Sequence, residues 1–349
     1  MALDEEITGE VRLALRLAVR DYLFPDDNVT AVDFGLPEHD GEIAADERAV
    51  RVHVRRKLPV EVLEAAGVPV VEREIFDFQT DVLEGTYRPQ LWWNPAGAWP
   101  QADPRTSRAD PLCGGVSISD SRHYAAGTLG TRVVDRTTGA EMILSNWHVL
   151  VADWAGRPGQ PILQPGRLDG GTAVDTVAGL TRDAMASNLD AAVATLTGNR
   201  RIVNDQVGLG PITGVRAATH GLDLVKSGRT SGITRGVVTG LSGVAQIAYA
   251  GTPRTIRHVI TIDPFLGGEV SRPGDSGSIW LADNDHRAVG LHFAGGDAPE
   301  RGLAIDIATV LDSLDVELDT GTVTVPADSG TSVADVTLAI VRDALAAYA

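Results

Sequence analysis

The sequence predicts a mainly β protein with an α/β unit at its N-terminal end and a helix at its C-terminal end. Three observations carry that expectation. Beyond Gly114, short β-rich runs punctuated by glycine recur at intervals that suit a barrel or sandwich rather than βαβ units. Before them, one stretch with apolar residues at steps of three and four is followed by β-branched runs and a second short helical pattern. Between the two lies a stretch rich in Pro, Trp, Gly, Asp and Arg, with the composition of a linker. At 349 residues the chain exceeds one usual core. The expected division is an N-terminal α/β accessory domain over 1–86, a linker over 87–113, a β domain over 114–318, and a linker and C-terminal helix over 319–349.

Taken in order, Ile7, Val11, Leu15, Ala18, Val19 and Tyr22 form one helical face, and Pro25 ends it. The runs 29–34 and 49–54 read as strands; the Arg55-Arg56-Lys57 trio after them reads as a solvated strand end rather than a ligand contact. Pro59 opens a short helix over 60–66 that Gly67 closes. The run 70–78 alternates poorly but reads as a strand, and 80–85 completes the unit. In the linker, Trp92, Trp93 and Trp99 are expected to pack against a neighbouring domain, with a peptide-binding aromatic patch as the alternative. Strands are then expected at 115–119, 125–134, 141–145, 190–196, 222–227, 236–244, 259–262, 278–281 and 288–293. A helix over 305–314 would close the β domain. A last helix over 333–348 would dock on the N-terminal unit or on a second subunit, making a homo-oligomer.

Charge and composition exclude several functions. The formal net charge is −17 with no Lys/Arg-rich block, so no nucleic-acid partner is expected. Cys113 is the single cysteine, so no intrachain disulfide forms and no oxidising compartment is needed. Charged residues such as Glu10, Arg12 and Arg16 interrupt the N-terminal segment, which lacks the apolar run of a signal peptide, and no later run is long enough for a membrane span. A cytoplasmic protein with no membrane partner is expected. His-Glu-X-X-His and Cys-X-X-Cys pairs and glycine-rich phosphate loops are missing, so neither metal nor cofactor is expected. His39, His123, His220, His258 and His286 read as surface residues.

The chemistry centres on Arg272-Pro273-Gly274-Asp275-Ser276-Gly277-Ser278. A serine between glycines and behind a proline sits on a tight turn, and such a turn can aim several backbone N–H groups into one space, as an oxyanion requires. A serine hydroxyl also needs a base and a group to orient that base. His148 follows a strand-like run that breaks at Asn146, and Asp190 enters the apolar run 189–194, where its carboxylate must be paired. Alone, each reads as structural. Together, in the chain order His, Asp, Ser, they match the order of the known Ser-His-Asp template of the chymotrypsin type.

Leu144-Ser145-Asn146-Trp147-His148-Val149, Leu189-Asp190-Ala191-Ala192-Val193 and Pro273-Gly274-Asp275-Ser276-Gly277-Ser278 resemble the three signature segments of the chymotrypsin/trypsin-like serine peptidase family. Gly228-Arg229-Thr230-Ser231-Gly232-Ile233-Thr234-Arg235-Gly236 resembles a turn common in its bacterial members. The resemblance covers about 114–318. A narrower one, on residues 50–59 and 79–82, is to bacterial trypsin-like proteins related to the plant narrow-leaf serine protease group. The resemblance implies a two-barrel chymotrypsin-like peptidase fold over 114–318 and a serine endopeptidase acting on protein or peptide through an acyl-enzyme. It implies catalytic His148, Asp190 and Ser276, and an oxyanion hole from the N–H groups of Gly274 and Ser276. No Ile-Val-Gly-Gly start precedes the barrels, where Cys113-Gly114-Gly115-Val116 stands instead, so no zymogen cleavage is expected.

The family's primary-pocket aspartate position is Val270 here, which does not support cleavage after Lys or Arg. Gly290-Leu291-His292-Phe293-Ala294-Gly295-Gly296 resembles the Gly-X-His-X-X-Gly strand of glutamyl endopeptidases and viral 3C-like proteases. That implies an S1 pocket of Val270, Ser271 and His292 reading Glu or Gln at P1; the other reading of His292 is a strand-end histidine without substrate contact. The alternative function is a catalytically silent peptidase-fold binding or scaffold protein. An α/β-hydrolase esterase is disfavoured because residues 274–278 lack the Gly-X-Ser-X-Gly spacing.

Overall fold

The computed structural model describes residues 7–91, 103–297 and 300–319. The expected helix over 333–348 and the tryptophans Trp92, Trp93 and Trp99 lie outside the described residues. Strand takes 44% and helix 15%, so the protein is mainly β.

Two barrels form the centre. In the first, Gly127–Thr128, Ser117–Asp120, Pro161–Leu163, Thr176–Asp183, Ala192–Leu196, Glu141–Ser145, Thr131–Asp135 and Val316–Leu318 pair in that order. Only Leu129 and Gly130 separate Gly127–Thr128 from Thr131–Asp135, so both flanks of the sheet meet in one bent stretch and the sheet wraps round on itself. Ile118, Leu129, Ile143, Ile162 and Val193 fill it and are fully buried. In the second barrel, Asp223–Gly228 pairs with both Ile279–Ala282 and Gly232–Tyr249. The ring closes through Ala288–Asp297, Glu300–Asp306 and Thr252–Pro264.

The N-terminal unit continues the second barrel's sheet. Val29–Gly35 pairs antiparallel with Gly232–Tyr249, Ala49–Val54 pairs with Val29–Gly35, and Phe78–Glu84 lies parallel to Ala49–Val54. One core runs across the joint, with Val11 and Leu15 of the helix Gly9–Ala18 and Val32 and Val50 packed in the same cluster as Val238, Leu241 and Ile260. A buried ion pair sits there too: Arg51 donates twice to Asp33, each bond 2.7 Å, and Thr261 Oγ1 donates to the same carboxylate at 2.6 Å. Buried charges of this kind are tolerated only when paired and hydrogen-bonded.

Local departures from expectation have local causes. The N-terminal helix ends at Ala18 and gives way to a π-helical turn, Val19–Leu23. The run 70–78 is not one strand. Phe76 and Asp77 adopt φ of 48° and 66° and turn Glu74–Ile75 back onto Phe78–Glu84, which is why the run alternates poorly. The helix Val60–Ala66 closes on Gly67 at φ 67°, as its sequence requires. His123 is half-buried between Asp120 and Asp153 rather than at a free surface. Among the described residues no helix is long and apolar enough to cross a membrane, and no group of three His, Cys, Asp or Glu is gathered for a metal ion.

Candidate active site

His148 lies in a single helical turn, Trp147–Leu150, directly after the strand Glu141–Ser145, with Asn146 extended between them. Asn146 Nδ2 donates to the Asp190 carbonyl at 2.7 Å, which brings the two segments together. His148 Nδ1 is 2.5 Å from Asp190 Oδ2, and the His148 backbone N–H donates to Asp190 Oδ1 at 3.1 Å. Tyr249 donates its hydroxyl to Asp190 Oδ2 at 2.9 Å. Asp190 is fully buried and accepts from the His148 backbone N–H and the Tyr249 hydroxyl, so Nδ1 is the ring nitrogen set against it and Nε2 faces the other way. That Nε2 is buried and has no hydrogen-bond partner among the described residues. Burial, together with the Asp190 charge, pushes the Tyr249 phenol well above its usual pKa, so it stays a donor. Tyr249 lies 59 residues from Asp190 at the end of a long strand, and nothing local marks it.

Ser276 sits on the expected turn. Gly274 has φ 102° and Gly277 φ 99°; a Cβ on Gly277 would lie 2.1 Å from the Thr128 carbonyl oxygen and 2.2 Å from Ser145 Oγ, so only glycine fits. Asp275 points away from the site. It accepts from the N–H groups of Thr230 and Ser231, at 2.9 and 3.0 Å, and from Lys226 Nζ at 2.9 Å. Both charges are fully buried. Burial alone would raise the Asp275 pKa, but the Lys226 ammonium and the Ser231 and Arg272 hydrogen bonds bring it down to about 2. The carboxylate thus has an internal cation where a trypsin-type turn would wait for a new chain terminus.

The N–H groups of Gly274 and Ser276 converge on one carbonyl oxygen, that of Gln90, at 2.5 and 3.5 Å. Ser276 Oγ accepts from the Gln90 N–H at 3.0 Å and donates to the Phe293 carbonyl at 3.1 Å. Just upstream, Arg88–Pro89 pairs antiparallel with Ala294 and Gly295 of the strand Ala288–Asp297. The start of the stretch read as a linker is therefore an edge strand crossing the site. Its proline misled the composition reading, yet proline is at home on an edge.

The Gln90 side chain enters the pocket expected from sequence. Its Oε1 is 2.7 Å from His292 Nε2. A Cβ on Gly295 would lie 2.3 Å from Gln90 Nε2 and 3.1 Å from Ser271 Oγ, and one on Gly302 would touch both Val270 and the His292 ring. Ser271 and His292 thus lie beside the Gln90 side chain, Val270 lies beside the His292 ring, and His292 stands inside the strand Ala288–Asp297 rather than at its end. Burial, assisted by the Lys226 ammonium, lowers the His292 pKa to about 3, so the ring is neutral. Farther along, Tyr87 is buried with its hydroxyl 2.7 Å from Nδ1 of His53 in the N-terminal unit.

No protein-family model and no curated protein matches the sequence. Solved structures do match, among them chymotrypsin/trypsin-like serine proteases at low sequence identity. Nocardiopsis protease (NAPase) and Thermobifida fusca protease A are each 17% identical with a TM-score of 0.46, over 60% of this chain and 100% of theirs. A glutamic acid specific serine protease, described as using a histidine triad in substrate binding, is 18% identical with a TM-score of 0.43, over 60% of this chain and 100% of its own. At such scores the likeness adds nothing to the strand pairings on which the fold rests.

Proposed function

We propose that the protein is a serine endopeptidase that cleaves protein or peptide after glutamine, in preference to glutamate, in the cytoplasm and without metal or cofactor. One observation carries the reading: the Gly274 and Ser276 N–H groups both donate to the Gln90 carbonyl oxygen, while the N–H of the same residue donates to Ser276 Oγ. Ser276 Oγ attacks such a carbonyl, His148 Nε2 takes its proton and passes it to the leaving amine, and Asp190 fixes the tautomer and the imidazolium. The two N–H donors stabilise the oxyanion; losing one such donor typically costs about 2.7 to 4 kcal/mol. Water then hydrolyses the acyl-enzyme by the same steps in reverse.

The silent-binder alternative has one observation in its favour: Ser276 Oγ bonds to Phe293 and Gln90, not to His148. Catalytic hydrogen bonds often form only in the reacting complex. A peptide-library cleavage profile tests the reading. Cleavage after Gln that disappears in Ser276→Ala is expected; a bulky apolar or basic P1 preference would overturn the pocket assignment.

A further inference from the structure

We propose that the chain is its own substrate: Ser276 cuts the peptide bond between Gln90 and Leu91 of the same molecule. The proposal rests on the peptidase reading and adds to it where, and on what, the enzyme first acts. Five contacts place residues 87–90 as a substrate's acyl side. The Gln90 carbonyl oxygen occupies the oxyanion hole, and the Gln90 N–H also reaches the Phe293 carbonyl at 3.4 Å. Arg88 stands opposite Gly295 in an antiparallel pair, as an extended substrate would. The Gln90 amide fills the pocket against His292, and Tyr87 is clasped by His53. With the N–H of Gln90 on Ser276 Oγ and its carbonyl oxygen on the Gly274 and Ser276 N–H groups, the Gln90 carbonyl is presented to the nucleophile.

The step balances without any further reactant but water. The Ser276 Oγ proton moves to His148 Nε2 as the Oγ–C bond to Gln90 forms. The C–N bond to Leu91 then breaks, and the proton goes to the Leu91 amine. Water hydrolyses the ester, leaving a carboxylate on Gln90 and restoring Ser276. The fragments 1–90 and 91–349 stay together, because Val29–Gly35 remains paired with Gly232–Tyr249 and the core is shared. Cutting therefore frees the Leu91 side of the cleft rather than shedding a domain. It differs from trypsin-type activation, since Asp275 already holds Lys226.

Intact-mass measurement of the purified full chain tests this, with hydrolysis of a peptide copying residues 86–93 as a parallel readout. The wild type should convert to fragments ending at Gln90 and starting at Leu91, at a first-order rate independent of protein concentration. Ser276→Ala should remain one folded chain, and Gln90→Ala should slow self-cleavage more than tenfold while speeding hydrolysis of the peptide. If the wild-type chain stays intact, or is cut elsewhere, while the peptide is cleaved after Gln, the self-substrate proposal falls and the peptidase reading stands. If neither the chain nor the peptide is cleaved, even by Gln90→Ala with its emptied pocket, both fall.

Discussion

The indole Nε1–H of Trp280 donates to His292 Nδ1 at 3.3 Å, and this contact decides which imidazole nitrogen faces the pocket. With Nδ1 accepting, the proton of the neutral ring sits on Nε2 and is donated to the Gln90 side-chain oxygen. An amide suits that donor. A buried carboxylate would meet a neutral ring and lose its hydration without a cation to replace it.

Peptides differing only at P1 should therefore show kcat/KM at least about tenfold higher for Gln than for Glu at pH 7.5. Toward pH 5 the ratio should shrink as the Glu side chain takes up a proton. Steady-state kinetics on the paired peptides reads this directly; equal rates at pH 7.5 would contradict a neutral His292.

The same neutral ring makes folding pH-dependent. The folded pKa of His292 is about 3 against the ordinary 6.5, so between those values the unfolded chain binds a proton that the folded chain does not. Its effect is absent above about pH 6.5 and grows as pH falls, on the order of 1 kcal/mol of lost stability per pH unit. Urea denaturation of wild type and His292→Gln at pH 7.5, 6 and 5 should show the wild type losing more than the variant on acidification.

At the base, two changes should separate by size. Asp190→Asn disturbs the tautomer and should lower kcat about 10⁴-fold. Tyr249→Phe removes one donor to a charged acceptor, worth roughly 1.5 to 3 kcal/mol, and should lower kcat roughly 10- to 150-fold with KM little changed. A Tyr249→Phe enzyme with unaltered kcat would show that the phenol is only packing.

Lys226→Met strands the buried Asp275 carboxylate and should cost roughly 3 to 5 kcal/mol of stability. The double variant Lys226→Met with Asp275→Asn should recover part of that loss, since the uncompensated charge is gone. Chemical denaturation of the three proteins measures the difference; a single variant as stable as wild type would contradict the ion pair's role.

The residues that signal themselves locally were legible in the sequence. Ser276 lies between turn glycines, His148 follows a broken strand, Asp190 enters an apolar run, and Ser271 and His292 lie near the Gln90 side chain with Val270 beside the His292 ring. What escaped depends on partners remote in sequence. Gln90 meets His292 across 202 residues, and its surroundings have a linker's composition. Lys226 lies 49 residues from Asp275, inside a strand whose pattern says only that it is buried. The run 29–34 was readable as a strand because it is rich in β-branched residues, but not which strand it joins: pairing with Gly232–Tyr249 is set by register and packing, not by local propensity. The sheet strands Thr176–Asp183 and Glu300–Asp306 carry glycine and charges that blur their alternation.

The most direct measurement is the site of covalent capture by a fluorophosphonate, mapped by peptide mass in the Gln90→Ala protein, whose cleft is emptied of the Gln90 side chain. The account predicts one adduct, on Ser276, that is lost in His148→Ala. An adduct at another residue, or none on a folded protein, would contradict it.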